Sequence, residues 1–201
     1  MHRRTFLREL VTAAALLALP TPSAAVRSQQ RYLRPPGAAA EEDFAALCIR
    51  CGQCGQVCPN RCIEFFGAGN GAANIDTPYI VPREQACILC MKCGDACPTD
   101  ALTAIPREAE AIIAGVRMGT ARVDESLCLS YQGKTCGVCY RACPLQDVAI
   151  RAGRLEQPIV IAENCVGCGL CERSCIQMPQ AIRIIPDHRR ARRASAIEAS
   201  T

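Results

Sequence analysis

The chain has 201 residues, of which 17 are cysteine, four phenylalanine, four tyrosine and none tryptophan, and its formal net charge is +4. This length suits one ordinary domain or two small ones, and the shortage of large aromatic side chains excludes a core built on them. An odd cysteine count in a chain this long argues against a disulfide framework, and two histidines, His2 and His188, leave no C-x-x-C-H haem site.

Residues 1–25 are predicted to be an export signal. His2-Arg3-Arg4-Thr5-Phe6-Leu7-Arg8 resembles the twin-arginine core, and the apolar stretch Leu10 to Leu19 falls short of the about 20 apolar residues a bilayer span needs. Ser23-Ala24-Ala25 offers small residues for cleavage. The alternative is a basic amphipathic start of a cytosolic protein. The chain is therefore expected in the periplasm, exported folded, with no transmembrane span of its own. Folded export suits a protein that must acquire redox-sensitive groups on its thiols inside the reducing cytoplasm. Residues 26–40, with Arg34-Pro35-Pro36-Gly37, are predicted to form an extended linker, and Glu41 to Leu47 a short helix.

Cys48-x2-Cys51-x2-Cys54-x3-Cys58-Pro59 follows. The spacing recurs at Cys87, Cys90, Cys93 and Cys97, and at Cys165, Cys168, Cys171 and Cys175; Cys128, Cys136, Cys139 and Cys143 repeat it with a longer first gap. Three thiolates three residues apart on a tight loop can take three corners of an iron–sulfur cube, while the fourth lies past a short helix and reaches the neighbouring cube. Structural zinc uses C-x2-C pairs separated by a long spacer instead. All 16 cysteines are candidate ligands, to four [4Fe–4S] clusters. If neighbouring runs pair, Cys48, Cys51, Cys54 and Cys97 hold one cube, Cys87, Cys90, Cys93 and Cys58 the next; Cys128, Cys136, Cys139 and Cys175 pair with Cys165, Cys168, Cys171 and Cys143. A nested pairing, first with fourth and second with third, resembles electron-transfer subunits of molybdoenzymes. All three gaps look like hairpins, so both pairings stay open. Cys128, with its seven-residue gap, is the least secure ligand.

Cys62 is the cysteine outside the runs. It aligns with Ala101 after the second run, which favours a small apolar role over a reactive thiol. Gly67-x-Gly69-x-Gly71 precedes no amphipathic helix and reads as a loop, not a nucleotide site. Short strands are predicted at Tyr79-Ile80-Val81, Ala101 to Ile105, Thr120 to Asp124, Ala149 to Arg151, Pro158 to Ile161 and Ala181 to Ile185. The expected fold class is α+β: two bacterial two-cluster ferredoxin-type modules, residues 41–106 and 120–186, with a helical insertion at 107–119. Lys134 is a candidate for raising one cluster potential. Residues 187–201, with Arg189, Arg190, Arg192 and Arg193, form a basic tail, solvated or docking to an acidic partner or anionic lipid.

Charge excludes less than it suggests. Arg3, Arg4 and Arg8 against Glu9 place +2 of the +4 in the signal. Four oxidised cubes with their thiolates would add about −8, taking the mature holoprotein to about −6, so the basic sequence is no sign of nucleic-acid binding. Nothing resembles a nucleophile with its base or a phosphate loop, so the chain is expected to move electrons and not to be an enzyme.

Several stretches, within the runs and between them, resemble the MauM/NapG family of ferredoxin-type proteins. They are Arg34-Pro35-Pro36-Gly37-Ala38, Cys48-x-Arg50-Cys51-Gly52-Gln53-Cys54, Thr77-Pro78-Tyr79, Arg117-Met118-Gly119, and Cys128-Leu129-x-x-Gln132-Gly133 leading to Cys139-Tyr140-Arg141-x-Cys143-Pro144. The resemblance implies an exported protein with four [4Fe–4S] clusters, working beside a membrane-bound iron–sulfur quinol dehydrogenase and passing electrons to a periplasmic cytochrome or reductase. Alternative roles are the iron–sulfur subunit of a molybdoenzyme and a maturation factor for a periplasmic dehydrogenase.

Overall fold

The computed structural model describes residues 32–70 and 72–187. The expected signal and the tail from residue 188 on lie outside the described residues. Among those described, no helix is long and apolar enough to cross a membrane.

The elements are short because each cysteine loop interrupts the chain. In order they are α1 (Glu41–Leu47), α2 (Gln53–Gln56), β1 (Glu64–Phe65), β2 (Pro78–Tyr79), α3 (Lys92–Asp95), α4 (Ala109–Gly115), β3 (Gly119–Val123), α5 (Val138–Arg141), β4 (Ile150–Ala152), β5 (Pro158–Val160), α6 (Leu170–Ser174) and β6 (Ile182–Pro186). This mixture of helices and short strands fits an α+β ferredoxin-type fold.

All three strand pairs are antiparallel. β1 pairs with β2, β4 with β5, and β3 with β6 from Gly119↔Pro186 to Val123↔Ile182. In the longest pair Ala121, Ile182 and Ile184 are buried, while Arg122 and Ile185 on the opposite face are exposed, the period-two pattern of a half-buried sheet. The first and third gaps are hairpins, as expected. The middle gap is not: β3 crosses to β6 instead of pairing with the segment after the second run, and α4 occupies the connection. The strand expected at Ala101 to Ile105 reduces to a single bridge, Ala38↔Leu102, because the facing segment turns away at Pro36-Gly37.

Residues 32–40 have the extended and turn geometry expected of the linker, but they are built into the fold. Leu33 and Ile80 exchange two backbone hydrogen bonds of 2.8 Å each. Arg34, 6% exposed, lies over the Phe44 ring at 4.5 Å and pairs with Glu41 at 2.5 Å. It also donates to Thr77 Oγ1 at 2.9 Å and the Pro78 carbonyl at 2.8 Å. Gly37 has φ +79°, and a Cβ there would stand 2.3 Å from the Thr103 carbonyl oxygen, so neither conformation nor space admits a side chain. Arg34-Pro35-Pro36-Gly37 and Thr77-Pro78 are thus two sides of one fastening.

One apolar cluster runs from Leu33, Cys62 and Ile80 through Cys87 and Val116 to Cys171, Ile182 and Ile184. A smaller one gathers Phe44, Cys54, Cys93, Ala101 and Leu102. Thiols are part of both cores.

Candidate metal centres

Each cysteine run folds into the same local shape. The residue before its second cysteine has positive φ in three runs: Arg50 (60°), Leu89 (55°) and Gly167 (75°). The residue after the second cysteine does so in all four: Gly52 (72°), Met91 (61°), Gly137 (62°) and Gly169 (87°). A one-turn helix then starts, carrying the buried third cysteine: Cys54, Cys93, Cys139 or Cys171. Alternating left- and right-handed residues turn successive backbone N–H groups inward, the concavity that suits anions and iron–sulfur groups. Arg50, Leu89 and Met91 hold this shape without being glycine, which costs each about 1–2 kcal/mol and marks a geometry fixed by its surroundings.

The thiols gather around four cavities, here numbered by the run that supplies three of them. Cavity I is lined by Cys48, Cys51, Cys54 and Cys97. Cavity II is lined by Cys87, Cys90, Cys93, Cys58 and also Cys62. Cavity III is lined by Cys128, Cys136, Cys139 and Cys175, and cavity IV by Cys165, Cys168, Cys171 and Cys143. In each, three cysteines come from one run and the fourth from its neighbour. Cys128 lies with its run despite the long gap.

The residues present fit an iron–sulfur cluster. Among the described residues no three His, Cys, Asp or Glu side chains close on a single-ion site. The thiols stand around cavities instead, which suits a group several atoms wide and not one tetrahedral zinc ion. In cavities II and IV the other lining is mostly apolar, with Ile, Val, Leu, Pro and Ala dominant, so a cluster bound there would be shielded from water. The N–H of Gly55 donates to Cys54, that of Gly94 to Cys93 and that of Tyr140 to Cys139, each favouring the thiolate. Leu89 N–H reaches Cys87 Sγ and Ala121 N–H reaches Cys165 Sγ, both at 3.4 Å. Without metal, burial dominates: it pushes Cys54 and Cys139 up to about 11, and Cys93 and Cys168 up to about 12. Neutral thiols are what a low-dielectric pocket keeps until a cation replaces the protons.

Cys62 is 3% exposed, and its Sγ is 3.6 Å from that of Cys58. Its thiol donates to Cys87, which raises the Cys62 pKa, with burial adding to the rise, and lowers that of Cys87. Ala101, its aligned counterpart, is likewise buried and lines cavity I. Lys134 is exposed.

Other contributors carry no sequence signal of their own. Arg83 donates to the carbonyls of Glu172 (3.2 Å), Arg173 (3.0 Å) and Cys175 (3.0 Å), closing the C-terminal end of α6 from 89 to 92 residues away. Thr99 Oγ1 lies 3.6 Å from Cys97 Sγ. Gly167 abuts Gly119 so closely that a Cβ on Gly167 would stand 2.5 Å from the Gly119 nitrogen and oxygen, while a Cβ on Gly119 would stand 2.5 Å from the Ile185 carbonyl oxygen, which accounts for the glycine in Arg117-Met118-Gly119.

Comparison with known proteins supports iron–sulfur binding along the chain. A 4Fe-4S dicluster domain model matches residues 47–101 and again 86–147, and a 4Fe-4S binding domain model matches residues 162–175. The match over 86–147 joins the second run to the third, whereas Cys143 lines cavity IV with the fourth run; the matched spacing alone does not distinguish neighbours, and the cavity lining does. Ferredoxin-type protein NapG of Escherichia coli is 40% identical over 200 residues, covering 92% of this chain and 85% of that one. The methylamine utilization ferredoxin-type protein MauM of Methylorubrum extorquens is 39% identical over 189 residues, covering 88% and 83%. MauM of Paracoccus denitrificans is 38% identical over 164 residues, covering 78% and 72%.

Proposed function

The chain belongs to the NapG and MauM ferredoxin-type proteins, and from that premise we propose that it is a periplasmic polyferredoxin holding four [4Fe–4S] clusters. It relays electrons from a membrane-bound iron–sulfur quinol dehydrogenase to a periplasmic cytochrome or reductase. That it is an iron–sulfur electron-transfer protein rests on the family and on the matched domains. The count of clusters, the partners and the direction of flow are the proposal.

The observation that carries it is the continuity of the four cavities. Cys93 of cavity II lies within electrostatic reach of Cys54 of cavity I. Cys87 of cavity II is hydrogen-bonded through the backbone to Cys168 of cavity IV. Cys171 of cavity IV lies within electrostatic reach of Cys139 of cavity III. The order I–II–IV–III supports a single line of redox sites, and it favours neighbouring over nested pairing, hence a relay over the molybdoenzyme subunit. When bound, each cluster supplies one-electron chemistry at a potential set by its surroundings. The chain supplies four thiolates to each, inward backbone N–H groups against their charge, and apolar walls that keep water from the sulfurs. The export signal supports the periplasm, where the exposed Cys51 leaves cavity I open to a partner.

In intact cells of the host, removing the chain should abolish quinol-dependent reduction of the periplasmic acceptor. The acceptor should remain reducible by a chemical reductant. Adding the purified holoprotein to spheroplasts should restore the flow. Undiminished reduction would overturn the relay, and an acceptor that stays inactive with chemical reductant would point to maturation instead.

A further inference from the structure

Cavity III differs from the others in one buried polar atom. Ser130 is 1% exposed, lines the cavity beside Cys128 and Cys136, and is the single buried side-chain nitrogen or oxygen bearer among the described residues whose polar atom, Oγ, has no hydrogen-bond partner. A buried hydroxyl left unpaired loses its bonds to water and gains none in return, so such an atom signals a partner that the protein alone does not provide. Its backbone carbonyl is already engaged, by Gln157 Nε2 at 3.4 Å. Ser130 belongs to the stretched gap between Cys128 and Cys136, the feature that sets the third run apart from the other three. A hydroxyl beside a ligand also occurs at cavity I, where Thr99 Oγ1 contacts Cys97 Sγ, so the chain uses this chemistry elsewhere. Cavities II and IV have no such hydroxyl in their lining.

We propose that the Ser130 hydroxyl donates a hydrogen bond to a sulfur of the cluster in cavity III, raising its reduction potential, and that the long Cys128–Cys136 gap exists to deliver this donor. A hydrogen bond to sulfur stabilises the more negative, reduced form, so its gain moves the potential up and its loss moves it down. The side chain acts on the cluster without ligating it. The inference rests on the four-cluster reading, and the two fail differently: iron content tests the clusters, the potential of one cluster tests Ser130.

The test is redox potentiometry followed by electron paramagnetic resonance on the anaerobically prepared full chain, for wild type, Ser130→Ala and Ser130→Cys. In Ser130→Ala, iron content should equal wild type and one cluster signal of the four should move to lower potential. Ser130→Cys, with a weaker donor of similar size, should fall between the two. Electron–nuclear double resonance should show in wild type a proton coupling to one cluster that is lost on exchange into deuterated buffer and that Ser130→Ala lacks in ordinary buffer. Unmoved potentials at full iron content would overturn the proposal. So would loss of one cluster's iron from both Ser130→Ala and Ser130→Gly, which would make the residue a structural one.

Discussion

The backbone N–H of Cys87 donates to the carbonyl oxygen of Cys168 across 2.9 Å, so the second and fourth cysteine runs touch through the main chain itself. These runs are far apart in sequence and sit on different cavities. Their contact makes one line of what would otherwise be two pairs. Around it, Met118 N–H donates to the Val166 carbonyl at 3.1 Å, and Gly169 lies so near Pro82 that a Cβ would stand 2.5 Å from the Pro82 Cβ.

Arg83 holds this seam from the side. Its three carbonyl acceptors at the end of α6 are charge-assisted, and the side chain is only half-buried, so Arg83→Ala should cost about 1–2 kcal/mol. Anaerobic thermal unfolding should shift down while iron content stays at the wild-type value. Loss of iron would mean that Arg83 shapes cavity III through Cys175 as well.

What was legible in the sequence follows from range. The cysteine spacing, the helix at Glu41–Leu47 and strands β3 to β6 depend on local pattern and were readable. The pairing of runs was not, because the middle gap has hairpin-like flanks and only the tertiary register of Gly119 with Pro186 shows that it crosses over. Arg83 meets its acceptors about 90 residues on, and no spacing announces that. Residues 32–40 read as linker from Pro35, Pro36 and Gly37, but the buried Arg34 and Leu33 make them part of the core. Ser130 stood in plain view inside the stretched gap; only its burial without a partner distinguishes it.

The Arg34 fastening should be the most sensitive non-cysteine site. Arg34→Ala would leave the 27%-exposed Glu41 side chain without its cationic partner and remove the bonds to Thr77, Pro78 and Asn74, costing about 3 kcal/mol. Arg34→Lys should recover little, since one ammonium cannot serve Glu41, Thr77 and Pro78 together. Chemical denaturation of the anaerobic holoprotein measures both.

Cys62→Ala should keep full iron content. The site tolerates a small apolar side chain, as Ala101 shows in the equivalent place, and the change removes only one sulfur from the wall of cavity II. Cys51→Ala and Cys128→Ala should each lose about a quarter of the iron. Iron analysis of the three variants separates ligand from wall; a cluster lost from Cys62→Ala would make that thiol a ligand.

Cluster loading should release protons. Burial raises Cys54 and Cys139 to about 11 and Cys93 and Cys168 to about 12, so these thiols are neutral at pH 7 and must deprotonate to bind. Loading should therefore strengthen as pH rises toward those values and weaken as it falls. Proton uptake by a weakly buffered solution during anaerobic reconstitution, instead of release, would contradict this.

Replacing Arg3 and Arg4 with lysine should leave the protein in the cytoplasm with its clusters in place. Undiminished periplasmic protein on cell fractionation would refute the export signal.

The most direct measurement is iron and acid-labile sulfide per chain on protein isolated without oxygen. Four [4Fe–4S] clusters predict about sixteen of each, with no zinc. About eight of each would leave two of the four cavities without a cluster, and a colourless protein holding zinc would contradict the account from its first step.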